Sequence, residues 1–274
     1  MIEIKDVTFN YPGSARDVFN DFSLQIADGN IIGLLGKNGT GKSTLLYLIC
    51  GLLRPRCGQI EVDGYEATMR RSEMLSQLFI VPEEYNLPDV SLNTYLEINL
   101  PFYPRFSREL LNQCLQDFEL DTDVKLGRLS MGQKKKVYMS FAIASGTKYL
   151  FMDEPTNGMD IPSKSQFRKV LSNSMTNERT IIISTHQAHD VEQLLDHVMI
   201  LSENGLLLNS SVNDIQDRYT FGYRRPEEMD NSVCLYSEPA LQGYAVVARR
   251  SDGEPQTPID LELLFNAIVK QNSL

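Results

Sequence analysis

Residues 36–44 read Gly-Lys-Asn-Gly-Thr-Gly-Lys-Ser-Thr, which is the spacing of a phosphate-binding loop. Such a loop needs a buried strand before it and a helix after it, because backbone N–H groups and the helix N-terminus together bind anionic oxygens. The apolar run Ile31–Leu35 predicts the strand, and residues 44–50 predict the helix. Lys42 adds a cation for the β- and γ-phosphates of a nucleotide, and the Ser43 hydroxyl suits Mg²⁺. The loop therefore constrains the local fold and the class of ligand together.

Composition narrows the class of protein further. The 274 residues carry a net charge of −10, which argues against nucleic acid or an anionic lipid surface as the main partner. No apolar stretch approaches the roughly 20 residues of a membrane span, and the chain starts directly as an alternating strand with no signal peptide. The four cysteines form no C-x-x-C pair and are expected to be reduced thiols. We expect a cytoplasmic protein.

Strand and helix patterns alternate along most of the chain, which predicts an α/β fold with a mainly parallel sheet. We expect a P-loop NTPase core with an antiparallel β region, a helical insertion and a small α+β appendage at the C-terminus. The predicted strands are 2–9, 22–26, 31–35, 59–62, 78–81, 149–152 and 180–184, and the predicted helices are 108–120, 162–175 and 188–195. The cassette is expected over 1–219, with its helical subdomain at about 92–146. The remainder, 220–274, is predicted as a linker (221–232) followed by strands 232–236 and 244–249 and a helix at 260–270.

Two further segments have the chemistry of a nucleotide site. Asp153 and Glu154 end a buried strand, where ligands of open parallel sheets bind, although an ordinary acidic loop would read the same way. Ser130 is a natural N-cap, and with Gly132 it begins a helix that offers a second anion site. One nucleotide cannot touch both this segment and Lys42 if the helical block lies apart from the sheet. A second subunit supplying the segment in trans resolves the conflict.

With these motifs in order, the chain resembles the ATP-binding subunit of ABC transporters, of the exporter type. The resemblance covers roughly residues 1 to 215. Its landmarks are Tyr11, the loop 36–44, the turn at Pro82, the segment 129–133, Asp153-Glu154-Pro155, the connecting loop 157–160 and His186. The combination is specific, because no other nucleotide-binding family has this signature between the two phosphate motifs.

The resemblance implies a role for each matched residue. Tyr11 would stack on adenine, Glu154 would polarise the attacking water, and His186 would contact the γ-phosphate and orient that water. Asp160 would organise the partner subunit's site across the interface. ATP would be bound by Gly36, Lys37, Asn38, Gly39, Thr40, Gly41, Lys42, Ser43 and Thr44, and from the second subunit by Ser130, Gly132 and Gln133. Magnesium would be bound by Ser43, Asp153 and Glu83.

Two residues, Met131 and Glu83, depart from the family pattern. Met131 stands where the family has a glycine, so binding in trans depends on which way its side chain points. Glu83 stands where the family has a neutral glutamine; it either substitutes as a Mg²⁺ ligand or lowers activity by adding charge. The lysines at 134–136 are interpreted as a solvated helix face, and Tyr11 and His186 keep the alternative of packing in the core.

The function that the resemblance implies is ATP hydrolysis that powers a separate permease, by two copies closing head to tail on two ATP molecules. A homodimer at the cytoplasmic face of the membrane is expected, with no nucleic-acid partner. Export is favoured because Leu261-Glu262-Leu263-Leu264-Phe265 resembles the ends of exporter-type ATPases. The alternative is a soluble ABC-type ATPase acting in translation or DNA repair; the single cassette and the lack of a sustained heptad run disfavour it.

Overall fold

The computed structural model describes residues 1–203, 205–228, 234–241, 243–251 and 253–271. Its contacts divide into two compact units, Met1–Asn30 with Gly41–Ser184, and Ile31–Thr40 with Thr185–Leu274. The predicted domain boundary at 219 stays a prediction. Among the described residues, every helix is too short or too polar to traverse a bilayer.

The strands are β1 (Ile2–Phe9), β2 (Phe19–Ile26), β3 (Ile31–Leu35), β4 (Cys57–Val62), β5 (Tyr65–Glu66), β6 (Leu78–Val81), β7 (Tyr149–Asp153), β8 (Thr180–Thr185), β9 (His197–Ser202), β10 (Gly205–Ser211), β11 (Tyr219–Arg224), β12 (Cys234–Ala240) and β13 (Gly243–Arg249). The helices are α1 (Lys42–Ile49), α2 (Ser72–Leu75), α3 (Leu92–Asn99), α4 (Arg108–Asp117), α5 (Met131–Ala144), α6 (Ile161–Asn173), α7 (Val212–Arg218) and α8 (Leu261–Gln271). The predicted α/β architecture is confirmed, since parallel strands, antiparallel sheets and a helical block are all present.

In the first unit, a parallel group of strands brings the acidic motif to one edge. Strands β6, β7 and β8 pair in parallel, with Leu78 opposite Tyr149 and Tyr149 opposite Thr180. Every residue of β7 and β8 is buried, which explains the apolar runs at 149–152 and 181–183. Because the strands run in the same direction, Asp153 and Ser184 pair at their carboxyl ends. A separate antiparallel sheet in this unit has the order β2-β1-β4-β5.

The predicted helical block is present as α3, α4 and α5. The predicted N-cap Ser107 accepts a hydrogen bond from the Leu110 N–H at 3.1 Å, although α4 ends at Asp117 rather than at 120. The block closes around the Phe141 ring, whose centroid lies 5.2 to 5.8 Å from four other aromatic rings: Phe79, Tyr95, Tyr103 and Phe106. Aromatic packing therefore fixes where α5, which begins at the Ser130 cap, stands against β6.

The second unit corrects two sequence predictions. The expected helix at 188–195 is instead two 3₁₀ turns, Ala188–Asp190 and Glu192–Leu194, because the fully buried Val191 between them has φ −121° and ψ −7°. The expected irregular linker begins as β11, which pairs with β13 in a three-stranded antiparallel sheet of order β11-β13-β12. The hydrogen bonds of β11 come from a partner strand that is distant in sequence, so the polar composition of this segment does not indicate a strand. Residues 229–232 of the predicted linker and 232–233 of the predicted strand lie outside the described residues.

The same unit contains the strand of the phosphate-binding loop. Strand β3 pairs in parallel with β9, and β9 pairs antiparallel with β10. The Ile31 N–H donates to the Asp196 carboxylate at 2.9 Å, which anchors the start of β3. The sequence analysis made no prediction for β9, β10 or α7. The predicted helix at the C-terminus is confirmed as α8, one residue later at each end than expected.

A polar cluster at Asp63 contributes stability that depends on pH. Burial alone would raise the Asp63 pKa, but hydrogen bonds from Lys148, the Met1 amine and Tyr149 lower it to about 2. A carboxyl with a lowered pKa stabilises the fold above its unfolded value and loses that contribution as the pH falls through its folded value. The contribution is therefore complete above about pH 4 and disappears toward about pH 2.

We expect Asp63→Asn to lower the free energy of unfolding by about 2 kcal/mol at pH 7, because the shifted pKa is a stability difference. The loss should shrink as the pH is lowered below about 4. Urea unfolding between neutral and acid pH measures this, with the exposed Asp121→Asn as a control. Equal stability of the two variants at pH 7 would contradict the role given to this cluster.

Candidate nucleotide-binding site

The first half of the phosphate-binding loop, residues 36–40, lies in the second unit and forms a closed turn. The Thr40 side chain donates to the Lys37 carbonyl at 2.9 Å. A Cβ atom at Gly36 would lie 2.5 Å from Thr40 Oγ1 and 2.9 Å from the Leu201 carbonyl oxygen. Glycine is therefore required at this position for the turn to close. Asn38 and Gly39 complete the turn, and Asn38 is exposed.

The second half of the loop, in the first unit, becomes the start of α1. Gly41 is the N-cap residue and has φ +96°, a left-handed conformation that favours glycine. A Cβ atom there would also approach Val18 Cγ1 to 2.8 Å and Phe19 Cζ to 2.9 Å. Helix α1 then begins at Lys42, so Lys42, Ser43 and Thr44 form its first turn. The positive end of the helix dipole is thereby directed toward this part of the loop.

Lys42 lies beside the acidic end of β7. Its Nζ atom is 3.8 Å from Glu154 Oε1, and the two side chains are only 5% and 8% exposed. Burial lowers the pKa of Lys42, while the carboxylates of Glu154, Asp153 and Glu83 act in the opposite direction. The structure thus places Lys42 beside Glu154, with the Asp153 and Glu83 carboxylates near enough to act on its charge. A cation so placed attracts anionic oxygens strongly, because little water screens it.

Glu154 has an unusual backbone conformation. Its φ is +47°, which is uncommon for a residue with a side chain and costs on the order of 1–3 kcal/mol. Its N–H donates to the Ser184 carbonyl at 2.9 Å, and the Ser184 hydroxyl donates to the neighbouring Asp153 carboxylate. Hydrogen bonds across the β7–β8 edge therefore hold both carboxylates in place.

Tyr11 follows β1 and is 41% exposed, so the alternative of a tyrosine packed in the core is wrong. Its hydroxyl forms a hydrogen bond with Thr44 Oγ1 at 2.9 Å. Its ring packs edge-on against Phe9, with centroids 5.1 Å apart. These two contacts fix an exposed aromatic ring beside the first turn of α1.

The segment 130–133 forms a complete capping box at the start of α5. Gln133 N–H donates to Ser130 Oγ at 3.2 Å, and Ser130 N–H donates to Gln133 Oε1 at 3.0 Å. Gly132 is exposed, and Met131 is 76% exposed, so its side chain points to solvent. The predicted N-cap is confirmed, and the segment is presented on the surface.

Asp160 also caps a helix. Its carboxylate accepts the Ser163 N–H at 2.9 Å at the start of α6, and the hydrogen bonds from Ser163 lower its pKa. Asp160 therefore fixes the geometry at the end of the loop that follows Glu154, and it is exposed.

Two residues that the sequence analysis missed join the Glu83 loop to the Glu154 loop. Asn157 Nδ2 donates to Glu83 Oε1 at 3.0 Å. Lys135 Nζ donates to the carbonyl oxygens of Glu154 at 3.2 Å and Asn157 at 2.7 Å, and burial lowers its pKa. Lys136 donates to Gln166 at 2.9 Å. The interpretation of 134–136 as a solvated face is thus wrong for Lys135 and Lys136; their partners are distant in sequence and leave no local signal.

His186 lies in the second unit, just after β8, and is exposed rather than packed in the core. It lines a cavity of about 470 Å³ together with Gly36 and Lys37 of the loop and Phe265 of α8. Its Nε2 atom is 3.4 Å from Gln187 Nε2. The structure therefore places His186 beside the first half of the phosphate-binding loop.

The chain is similar to several known proteins in sequence and in fold. The family model described as ABC transporter matches residues 19–157. The methionine import ATP-binding protein MetN of Carboxydothermus hydrogenoformans is 32% identical over 78% of this chain and 67% of its own length. The ABC transporter ATP-binding protein YtrB of Bacillus subtilis is 28% identical, and the alignment covers 97% of each chain. A solved structure of an ATP binding subunit of an ABC transporter superposes with a TM-score of 0.69 at 26% identity, covering 79% of this chain and 92% of that one.

We expect Ser130→Ala to lower the free energy of unfolding by about 1 kcal/mol, because it removes the acceptor for the Gln133 N–H. Ser130→Asp restores an acceptor and should unfold like the wild type. Urea titration of both variants measures this, with Ser165→Ala, an exposed serine within α6, as the matched control. A Ser130→Ala curve that superimposes on the wild type would exclude a stabilising cap.

Proposed function

The chain belongs to the ABC transporter family, and on that basis we propose that it is the subunit that hydrolyses ATP to power a separate membrane permease, in the direction of export. Members of the family are ATP-binding cassette ATPases, and the matched model spans both phosphate motifs. The observation that carries the proposal is the buried pair of Lys42 and Glu154, with 3.8 Å between ammonium and carboxylate. A cation and a base so close can serve the same phosphoryl group.

Lys42 and Glu154 divide the chemistry between them. The phosphate-binding loop holds the triphosphate with backbone N–H groups, and the Lys42 ammonium faces the β- and γ-phosphate oxygens. The Glu154 carboxylate accepts a hydrogen bond from the water that attacks the γ-phosphate, and orients it. His186 contacts the γ-phosphate, and Tyr11 offers its exposed ring to adenine.

Magnesium fits the donor set of the first unit. Ser43 and Asp153 supply a hydroxyl and a buried carboxylate, and Glu83 supplies a second carboxylate that already accepts a hydrogen bond from Asn157. No cluster of three or more His, Cys, Asp or Glu side chains suited to a metal occurs among the described residues. Mg²⁺ takes one or two carboxylates and completes its shell with water and substrate phosphates, and the oxygens of Ser43, Asp153 and Glu83 would serve it in that way. When bound, it neutralises charge on the phosphates.

Two copies of the chain would complete each site by binding head to tail. Ser130, Gly132 and Gln133 of one copy would cap the nucleotide held by the other copy's loop, and Asp160 would organise the interface. The exposure of Met131 and Gly132 supports this, since a segment that binds in trans must face outward.

An apolar groove in the first unit supports docking to a permease. A cavity of about 820 Å³ is lined by Leu52, Phe102, Tyr103 and Tyr138. Leu52 is 52% exposed and Phe102 is 65% exposed, so the groove presents two large apolar side chains that a docked permease would cover. The permease would place the chain at the cytoplasmic face of the membrane. The export direction is supported by the motif at 261–265 alone; one relative is named for methionine import.

We expect Glu154→Gln to bind ATP with nearly unchanged affinity and to lose at least about 100-fold in turnover, because the base is removed while the shape is kept. Bound ATP should then persist and stabilise a dimer. Phosphate release and size-exclusion chromatography with ATP and Mg²⁺ measure the two effects. Wild-type turnover in this variant would contradict the role of Glu154.

We expect Leu52→Asp and Phe102→Asp to reduce the amount of membrane protein that co-purifies with the chain by at least about tenfold, because a charge in an apolar interface costs several kcal/mol. The ATPase activity of the isolated chain should be unchanged. Leu241→Asp, at a fully exposed leucine that does not line this groove, is the control. Recovery of ribosomes or DNA with the wild type, in place of a multi-span membrane protein, would support a role in translation or DNA repair and exclude transport.

A further inference from the structure

Lys135 is a half-buried cation whose partners lie on the loop that carries the general base. It stands on the second turn of α5, and its ammonium donates to two backbone carbonyls, those of Glu154 at 3.2 Å and Asn157 at 2.7 Å. Its neighbour Lys134 differs, because the ammonium of Lys134 contacts no hydrogen-bonding or charged partner among the described residues. The two lysines thus form a natural pair of test and control.

The loop needs such a contact, because the backbone of Glu154 is strained. Its left-handed φ of +47° persists only where surrounding contacts fix it. The Glu154 N–H is held by the Ser184 carbonyl. On the other side of the residue, the Glu154 carbonyl accepts the Asn157 N–H at 3.2 Å and the Lys135 ammonium. Lys135 is the charged member of this set, and hydrogen bonds from charged groups are about twice as strong as neutral ones.

The same contact reaches the Glu83 loop through Asn157. The Asn157 carbonyl accepts from Lys135, and its side-chain amide donates to Glu83 Oε1 at 3.0 Å. Asn157 is therefore hydrogen-bonded to the Glu83 carboxylate through its side chain and to the Lys135 ammonium through its carbonyl. The negative charge that Glu83 brings to this loop is compensated by Lys135, since the Glu83 carboxylate favours the charged form of that lysine.

We infer that Lys135 is a positioning residue for ATP hydrolysis: by binding the Glu154 and Asn157 carbonyls it fixes the general base, and through Asn157 it couples that base to Glu83. This inference rests on the proposed function of Glu154. Lys135 donates to backbone carbonyls, so its effect on turnover would pass through the geometry of the 154–157 turn. A misplacement of about 1 Å at a catalytic group can cost about 100-fold in rate.

A double-mutant cycle with Glu154 tests the inference. Lys135→Met keeps the length of the side chain and removes all donors. We expect its kcat to fall by about 10- to 100-fold while the Kd for ATP changes by less than about threefold. In a Glu154→Gln background the same substitution should leave the residual turnover unchanged within about twofold, because there is no base left to position. Lys134→Met is the matched control and should retain wild-type kcat.

Two results would contradict the role of Lys135, and a third would contradict the proposed function instead. If Lys135→Met and Lys134→Met have the same kcat, Lys135 does not position the base. If Lys135→Met lowers turnover equally with and without Glu154, its role is only structural, and the inference is overturned. A wild-type chain without ATPase activity would instead refute the proposed function, and this result is distinct from either of the others.

A second variant covers the case in which Lys135→Met does not fold. Lys135→Gln keeps one donor group without the charge and should give an intermediate kcat at an unchanged melting temperature. The double variant Glu83→Gln/Lys135→Gln tests the coupling to Glu83. If the two residues acted independently, the fractional losses in kcat of the two single variants would multiply. We expect the kcat of the double variant to be at least about threefold higher than that product predicts, because the two opposite charges are removed together. Effects that simply multiply would remove Glu83 from the coupled unit.

Discussion

A buried ammonium beside a buried carboxylate, Lys42 and Glu154, is the interaction on which the rest of this site depends. Neither charge could be buried alone, because desolvation of an unpaired ion costs several kcal/mol. Together they form a small charged centre at the carboxyl end of β7, next to the first turn of α1. In the proposed function the cation would attract the anionic oxygens of a nucleotide, and the carboxylate would face the reacting phosphate.

The fold positions Lys42 and Glu154 by restricting the backbone conformation of both segments. Gly41 permits the left-handed turn from which α1 begins, so the position of Lys42 follows from a residue without a side chain. Glu154 is held at the end of a strand that is buried along its whole length, and its own left-handed backbone is fixed by Ser184 and by Lys135. Stability and the proposed chemistry are therefore linked: the contacts that hold the strained turn would also set the direction of the base.

Much of this arrangement could be predicted from local sequence. The strand Ile31–Leu35, the end of β7 at Asp153 and the Ser130 cap were all predicted, because apolar runs, glycine spacing and N-cap residues act over a few positions. Other features depend on distant partners. Strand β11 exists because β13 pairs with it, and the helix predicted at 188–195 is interrupted at Val191, whose backbone is not helical. Lys135 looked like part of a solvated charge run, since its acceptors lie 19 and 22 residues away.

The central claim is that Lys42 faces the phosphates of ATP, and calorimetric titration of Lys42→Ala with ATP and Mg²⁺ tests it most directly. The account predicts that the Kd rises by at least about 100-fold over the wild type, which corresponds to roughly 2.7 kcal/mol, while Lys134→Ala binds like the wild type. Melting curves without nucleotide establish that the variant is folded. A folded Lys42→Ala protein that binds ATP within about twofold of the wild-type Kd would contradict the assignment of this loop as the nucleotide site.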